Sequence, residues 1–333
     1  MADGNLIIGC SGLLSERSGI GVVQRRVYPF LEQRGHKLVF SAPRDGAKSP
    51  LKSVRGTVRG FMPAAKPYDV YLSVVAPLPF RTAVPTLTIV HDLRWLRTRG
   101  RVSRRYREWD LRRTVARSEA VLCISGRTHG DVQEFFGKPV PHSTWEWLGP
   151  GLVREPYFGG DRMGRLLLIG GAPHKENEAA AELLAQVRPG WVTHITGIGV
   201  SDAARRTLED AYDPTNLTFV SGLTDEEMIY HYRQSYAFML LGTDEGFGLP
   251  FIEAMQSGCQ VIAQEHALIS ELLGGAVVTL PPNPSGARDR LGVMPAVPLA
   301  LRQEQAMRFS WVNFCERVES ELISLAAISN EKN

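Results

Sequence analysis

The sequence is poor in cysteine. Its four residues, Cys10, Cys123, Cys259 and Cys315, stand far apart and form no C-x-x-C pair. That spacing argues against a disulfide framework and a cysteine-built zinc site. Each thiol lies in or beside an apolar stretch, as core thiols of a reducing compartment do. No run of about 18 apolar residues exists, so no membrane span is expected. The start, MADGNLIIGC, lacks a basic n-region and a long apolar stretch. No signal peptide is therefore expected, and cytoplasmic residence is the default. A G-x-G-x-x-G dinucleotide fingerprint is missing too. So is any His/Asp/Cys cluster with metal-ligand spacing, so no metal is expected. Charge of one sign is scarce overall. Lys and Arg total 38 against 35 Asp and Glu, and a net charge of +3 implies no polyanionic partner by itself.

What is present is size and alternation. The chain has 333 residues, more than the roughly 250–300 at which a single core stops growing, so two domains are expected. Apolar strand-like runs alternate with helical patterns in both halves, which reads as α/β. The first half offers strands at 6–10, 37–41, 69–75, 86–90, 120–124 and 140–148, with a minor strand near 54–61. Helices are expected at 21–34, 103–117 (capped by Ser103) and 126–136. Gly149-Pro150-Gly151 and the glycines at 159–160 read as a linker. The second half offers strands at 165–169, 191–195, 217–220, 237–241, 260–263 and 276–280, with helices between them. PPNPSGARDR, from Pro281, reads as irregular, and amphipathic segments run from Pro298 to Leu325. The expected domains are 1–155 and 156–305, with 306–333 as a C-terminal helix.

One stretch organises the chain. The apolar run 237–241 reads as a buried parallel strand, and Thr243-Asp244-Glu245-Gly246-Phe247-Gly248-Leu249-Pro250-Phe251-Ile252-Glu253 follows it. Gly246 and Gly248 permit a tight turn, and Pro250 suits the first turn of a helix. Strand, glycine turn and helix place backbone amides and a helix N-terminus at the carboxyl end of a strand, a seat for phosphate or sugar oxygens. Glu245 and Glu253 bracket the turn. Each carboxylate can accept from adjacent hydroxyls, so one can hold a hexose and the other a ribose diol.

The string EGFGLPFIEAM resembles the Glu-x₇-Glu motif of retaining glycosyltransferases of family 4, in the GT-B class. TIVHDL at 88–93 and SEAVLCISGRTHGDVQEFFG at 118–137 resemble the same family. The resemblance implies two Rossmann-like domains facing across a cleft, with the C-terminal helix crossing back to the first. It implies transfer of a hexose-type sugar, as in hexosyltransferases with mannosyltransferases among them, from a nucleoside-diphosphate sugar. The acceptor would be a glycan, a glycolipid or a small-molecule glycoside precursor. No metal is required, and the sugar nucleotide is a substrate rather than a cofactor. By resemblance, Glu245 and the turn Gly246, Phe247, Gly248 and Leu249 meet the donor sugar, Glu253 meets the ribose, and His91 reaches the donor sugar. Gly19 and Gly21, in a Gly-rich loop, approach the donor phosphates, and Lys175 neutralises the diphosphate. The family also carries an arginine where this chain has Gly170 and Gly171. Either Arg17, Arg25 or His174 supplies that charge, or the donor binds more weakly. A sugar-nucleotide epimerase of the same build and a non-catalytic sugar-nucleotide-binding protein are the rival readings.

Local charge is less balanced than the total. Between 94 and 117 stand ten arginines, at 94, 97, 99, 101, 104, 105, 107, 112, 113 and 117, against only Glu108 and Asp110. A solvated basic face is the plain explanation. The functional ones are an anionic or lipid-linked acceptor, or peripheral contact with the inner face of a membrane. No nucleic-acid motif accompanies the run, so no nucleic acid is expected.

Overall fold

The structure, a computed structural model, describes residues 5–11, 19–40, 68–74, 84–94, 100–153, 155–160, 162–293 and 295–331. The expected strand near 54–61, and Arg17, Arg97 and Arg99, lie outside them. The chain divides into two units, 1–149 with 310–333, and 150–309.

The first unit runs β1 (Ile7–Cys10), α1 (Gly19–Gln33), β2 (Lys37–Phe40), β3 (Val70–Ser73), β4 (Thr86–Val90), α2 (Arg101–Val115), β5 (Ala120–Cys123), α3 (Gly126–Phe136) and β6 (Ser143–Trp145). Among the described residues the strands form one parallel sheet in the order β2-β1-β3-β4-β5-β6. Strands β3, β4 and β5 are buried along their whole length, which is why they read as nearly continuous apolar runs.

The second unit runs β7 (Arg165–Ile169), a 3-10 turn (Pro173–Lys175), α4 (Asn177–Val187), β8 (His194–Ile198), α5 (Asp202–Ala211), β9 (Leu217–Val220) and α6 (Asp225–Gln234). It continues with β10 (Ala237–Leu240), α7 (Leu249–Gln256), β11 (Gln260–Gln264), α8 (Ala267–Leu273), β12 (Val278–Leu280), α9 (Pro284–Val293) and α10 (Leu299–Met307). Its sheet is also parallel, in the order β12-β11-β10-β7-β8-β9. The order reverses between β10 and β7. Doubly wound sheets open a crevice at such a point, beyond the carboxyl ends of the strands.

The last helix, α11 (Trp311–Glu331), belongs to the first unit. Phe314, Cys315, Val318, Leu322 and Leu325 recur at helical spacing as one buried stripe, and the helix packs on α1, β3, β4 and β5. Glu316 pairs with Arg34 at 3.0 Å and Glu319 with His36 at 3.1 Å.

The boundaries correct several expectations. Helix α1 begins at Gly19, so Gly19 and Gly21 stand in its first turn rather than in a preceding loop. Helix α2 begins at Arg101 with Gly100 as its cap residue, which places Ser103 inside the helix. PPNPSGARDR is largely helix α9: the Asn283 side chain accepts from the Gly286 amide at 2.7 Å, and Pro284 takes the first helical position. The proline and glycine that suggest a loop are here the start signals of a helix. Strand β8 runs 194–198 instead of 191–195, because the Gly164 carbonyl receives the Thr193 and His194 amides and Trp191 is drawn to the Leu291 carbonyl.

Candidate active site

The site is built on the neighbouring strands β7 and β10. After β10 the chain turns through residues 241–248 and enters α7. Gly248 caps the helix at φ +76°, a conformation that favours glycine, and Pro250 follows in the first turn. Phe247 is only 5% exposed and meets the Phe309 ring edge-on at 6.3 Å. A ligand can therefore meet the backbone of Phe247 but not its ring.

After β7 the 3-10 turn carries His174 and Lys175. Both basic side chains converge on one atom. Lys175 Nζ lies 3.9 Å and His174 Nε2 lies 3.5 Å from Glu245 Oε1. That oxygen is buried and makes no hydrogen bond within the described residues. Gly242 makes the approach possible: a Cβ there would run into the His174 carbonyl. A basic turn and an acidic turn, 70 residues apart in the chain, are thus locked backbone to backbone.

Glu253 sits one turn into α7 and is 5% exposed. Its Oε2 accepts from the Tyr232 hydroxyl at 3.2 Å, and its Oε1 accepts from the Leu152 amide at 3.2 Å. The Gly151 amide donates as well. A Cβ on Gly151 would come within 2.6 Å of Oε1, so the carboxylate needs glycine there. Burial pushes the Glu253 carboxyl up to about 7, while the Tyr232 hydroxyl, the Leu152 amide and the Lys175 charge pull it down. Burial and the neighbouring Glu253 hold the Tyr232 phenol well above its ordinary range, so it stays a donor. Its ring continues into Phe238 and Phe251 through edge-on contacts at 5.7 and 6.1 Å. Tyr232, Gly151 and Gly242 were not among the sequence candidates. The only signal was Gly149-Pro150-Gly151, which reads as a linker but also presents the Gly151 amide to Glu253.

Gly170 and Gly171 differ in what they allow. A Cβ on Gly170 would collide with the Gly199 carbonyl, whereas Gly171, at φ +89°, faces open space.

In the first unit, His91 follows β4, and its Nε2 lies 2.9 Å from the Val74 carbonyl. Burial lowers its pKa more than that carbonyl and Asp92 raise it. The neutral ring donates from Nε2 and keeps Nδ1 as an acceptor, suited to a hydroxyl. Asp92 accepts from the Arg94 amide at 3.0 Å, which fixes the turn after His91. Arg26 lies over the Trp311 ring at 5.9 Å.

Two parallel six-stranded sheets flanked by helices, with charged turns beyond the strand ends, define a GT-B protein. Residues 173–285, the segment that holds Lys175, Glu245 and Glu253, match the model of the family described as glycosyl transferases group 1. No curated protein matches the chain. A sucrose-phosphate synthase from Thermosynechococcus elongatus is similar in structure, with a TM-score of 0.72 at 15% identity, covering 97% of this chain and 99% of that one. A glycosyltransferase from Rickettsia africae gives 0.67 at 12%, covering 97% and 99%. Anabaena HepE in complex with UDP gives 0.64 at 14%, covering 96% and 100%. At these identities the likeness establishes the fold.

Proposed function

We propose that the protein is a retaining, metal-independent glycosyltransferase that moves a hexose-type sugar from a nucleoside-diphosphate sugar to an acceptor. The observation that carries the reading is the pair of basic side chains, Lys175 and His174, held on Glu245 beside a glycine turn in the segment that matches the family. A departing diphosphate gathers negative charge, and preorganised cations and amides stabilise it most in the transition state. Glu245 and the amides of Gly246, Phe247, Gly248 and Leu249 hold the sugar, Glu253 the ribose, and His91 contributes its Nδ1 to the donor sugar. Gly19 and Gly21 supply first-turn amides of α1 to the donor phosphates. HepE, whose structure holds UDP, supports a uridine nucleotide as the first donor to try. The arginine-rich stretch 94–117 favours an anionic or lipid-linked acceptor.

The direct test is release of nucleoside diphosphate from a panel of donor sugars, with and without a cell-derived acceptor pool. Turnover that needs acceptor supports transfer. Acceptor-free release of an epimerised sugar makes the protein an epimerase, and binding without turnover makes it a carrier. Among the described residues no group of three or more His, Cys, Asp or Glu is placed to hold a metal ion. Activity is accordingly expected to survive EDTA. Loss on chelation, restored by Mg²⁺ or Mn²⁺, would refute cation side chains as the neutralising groups.

The second neutralising charge is assigned to His174, which lies beside Lys175 and 3.5 Å from Glu245 Oε1, while Gly170 leaves no room for a side chain. His174→Gln is expected to weaken nucleoside diphosphate binding about tenfold, the low end for a hydrogen bond to a charged group. His174→Arg should keep it. Equal affinity of the two variants in calorimetry would remove His174 from the site.

A further inference from the structure

We infer that the outer face of α2 is a docking surface for an anionic bilayer. The inference does not depend on the donor chemistry. Ten arginines and two acids stand between 94 and 117, while the other 28 basic residues of the chain are outnumbered by 33 acidic ones. The positive charge of this protein is therefore concentrated in one segment.

The structure shows which way the described part of helix α2 faces. Leu111 and Val115 enter the core beside Val90, Val121 and Val132, and Thr114 is buried with them. Both acids are matched within the helix: Asp110 pairs with Arg113 at 3.2 Å and Glu108 with Arg104 at 3.3 Å. Arg112 lies over the Phe135 ring at 4.4 Å and donates to the Phe135 carbonyl. Arg105 and Arg107 are exposed. Between them and one turn on, Tyr106 and Trp109 are 45% and 47% exposed, and their rings lie together at 6.1 Å.

Charge alone would fit any polyanion; the exposed tryptophan and tyrosine among the arginines, with Arg113 over the Trp109 ring at 5.4 Å, narrow the choice. Aromatic rings with polar edges settle at the headgroup level of a bilayer, and arginine reaches the lipid phosphates beside them. An exposed helix face can lie against a flat surface. Anionic lipid matches the charge, and the rings match the interface.

The test is co-sedimentation of the full chain with vesicles, either of equal parts phosphatidylglycerol and phosphatidylcholine or of phosphatidylcholine alone. Binding is expected to the first and not the second, and to weaken as salt rises. Arg104→Gln/Arg105→Gln/Arg107→Gln should reduce it about tenfold or more, because each basic residue near an anionic surface contributes separately. Tyr106→Ser/Trp109→Ser, which leaves every charge in place, should reduce it too. An unchanged melting temperature shows that the variants fold. Equal binding to both vesicle types, no binding to either, or variants that bind like the parent would overturn the inference. So would a short DNA duplex bound more tightly than the anionic vesicles, which would make α2 a nucleic-acid face. A loss of vesicle binding with donor turnover intact, or the reverse, tells the two readings apart.

Discussion

Replacing Lys175 with alanine is expected to lower kcat/KM for the sugar donor by about tenfold to a hundredfold, with kcat falling as well as affinity. A hydrogen bond to a charged group contributes roughly 1.5–3 kcal/mol, and each 1.4 kcal/mol is about a factor of ten. Lys175 is well placed for that contribution. Its side chain is 17% exposed, its ammonium lies 3.9 Å from Glu245 Oε1, and its turn is fixed against Gly242. A cation already immobilised and partly desolvated needs little reorganisation when the diphosphate charge grows. The loss should therefore be greater in the transition state than in the ground state, which is what a fall in kcat reports. Steady-state kinetics of Lys175→Ala against the parent, on the best donor, give the answer. Normal kcat and normal kcat/KM would remove Lys175 from the site and point to Arg17 or Arg25 instead.

Glu253→Gln and Glu245→Gln should fail in different ways. Glu253 is assigned to the ribose, far from the breaking bond, where binding is similar in ground and transition states. Uniform binding of that kind changes KM and spares kcat. Glu253→Gln should therefore weaken the free nucleoside diphosphate and the sugar donor alike. Glu245 is assigned to the sugar, beside the centre where positive charge develops, so Glu245→Gln should cut kcat and leave the free nucleotide nearly unaffected. Calorimetry with the nucleoside diphosphate, beside kinetics, reads both. If the variants behave alike, or Glu245→Gln loses the bare nucleotide, the assignment is wrong.

Glu253 also carries a pH signature of its own. Burial raises it to about 7 in the folded protein, against about 4.3 in an unfolded chain. The folded state then holds the proton more tightly. The stability this contributes is complete below the unfolded value and is lost as pH rises through about 7. Glutamine cannot titrate, so the melting temperature of Glu253→Gln should fall less steeply between pH 5 and pH 8 than that of the parent. Parallel curves would show that Glu253 titrates in its ordinary range, and that Tyr232, Leu152 and Gly151 already hold the carboxylate ionised.

Element type was legible wherever burial dictated composition. Strands β4 at 86–90 and β7 at 165–169 have the ranges their apolar runs suggest, because a parallel strand between two helical layers must be apolar on both faces. Helix α3 was legible from its ends: the Ser125 side chain accepts from the Thr128 amide, and Gly137 closes the helix at φ +66°. Legibility failed where one residue type serves two ends. Proline, asparagine and glycine at 283–286 begin a helix as readily as they make a loop, and the Asn283 hydrogen bond that decides it is a fact of geometry. Strand β8 failed for another reason, since Trp191 is apolar but packs toward α9 instead of entering the sheet.

By itself the sequence determined the α/β alternation, the glycine turn after β10 and the family signature running from Glu245 to Glu253. Those depend on neighbours along the chain, through periodicity, turn residues and caps. Only the tertiary structure decided which residues meet. The reversal of strand order sets β7 beside β10, and so brings Lys175 and His174 to Glu245 across 70 residues of chain. The fold also turns an apparent linker at Gly151 into a donor for Glu253, encloses that carboxylate under Tyr232, and leaves Gly170 no room for a side chain. Burial, and the close approach of backbones that glycine permits, are properties of strand order and packing, which no local pattern encodes.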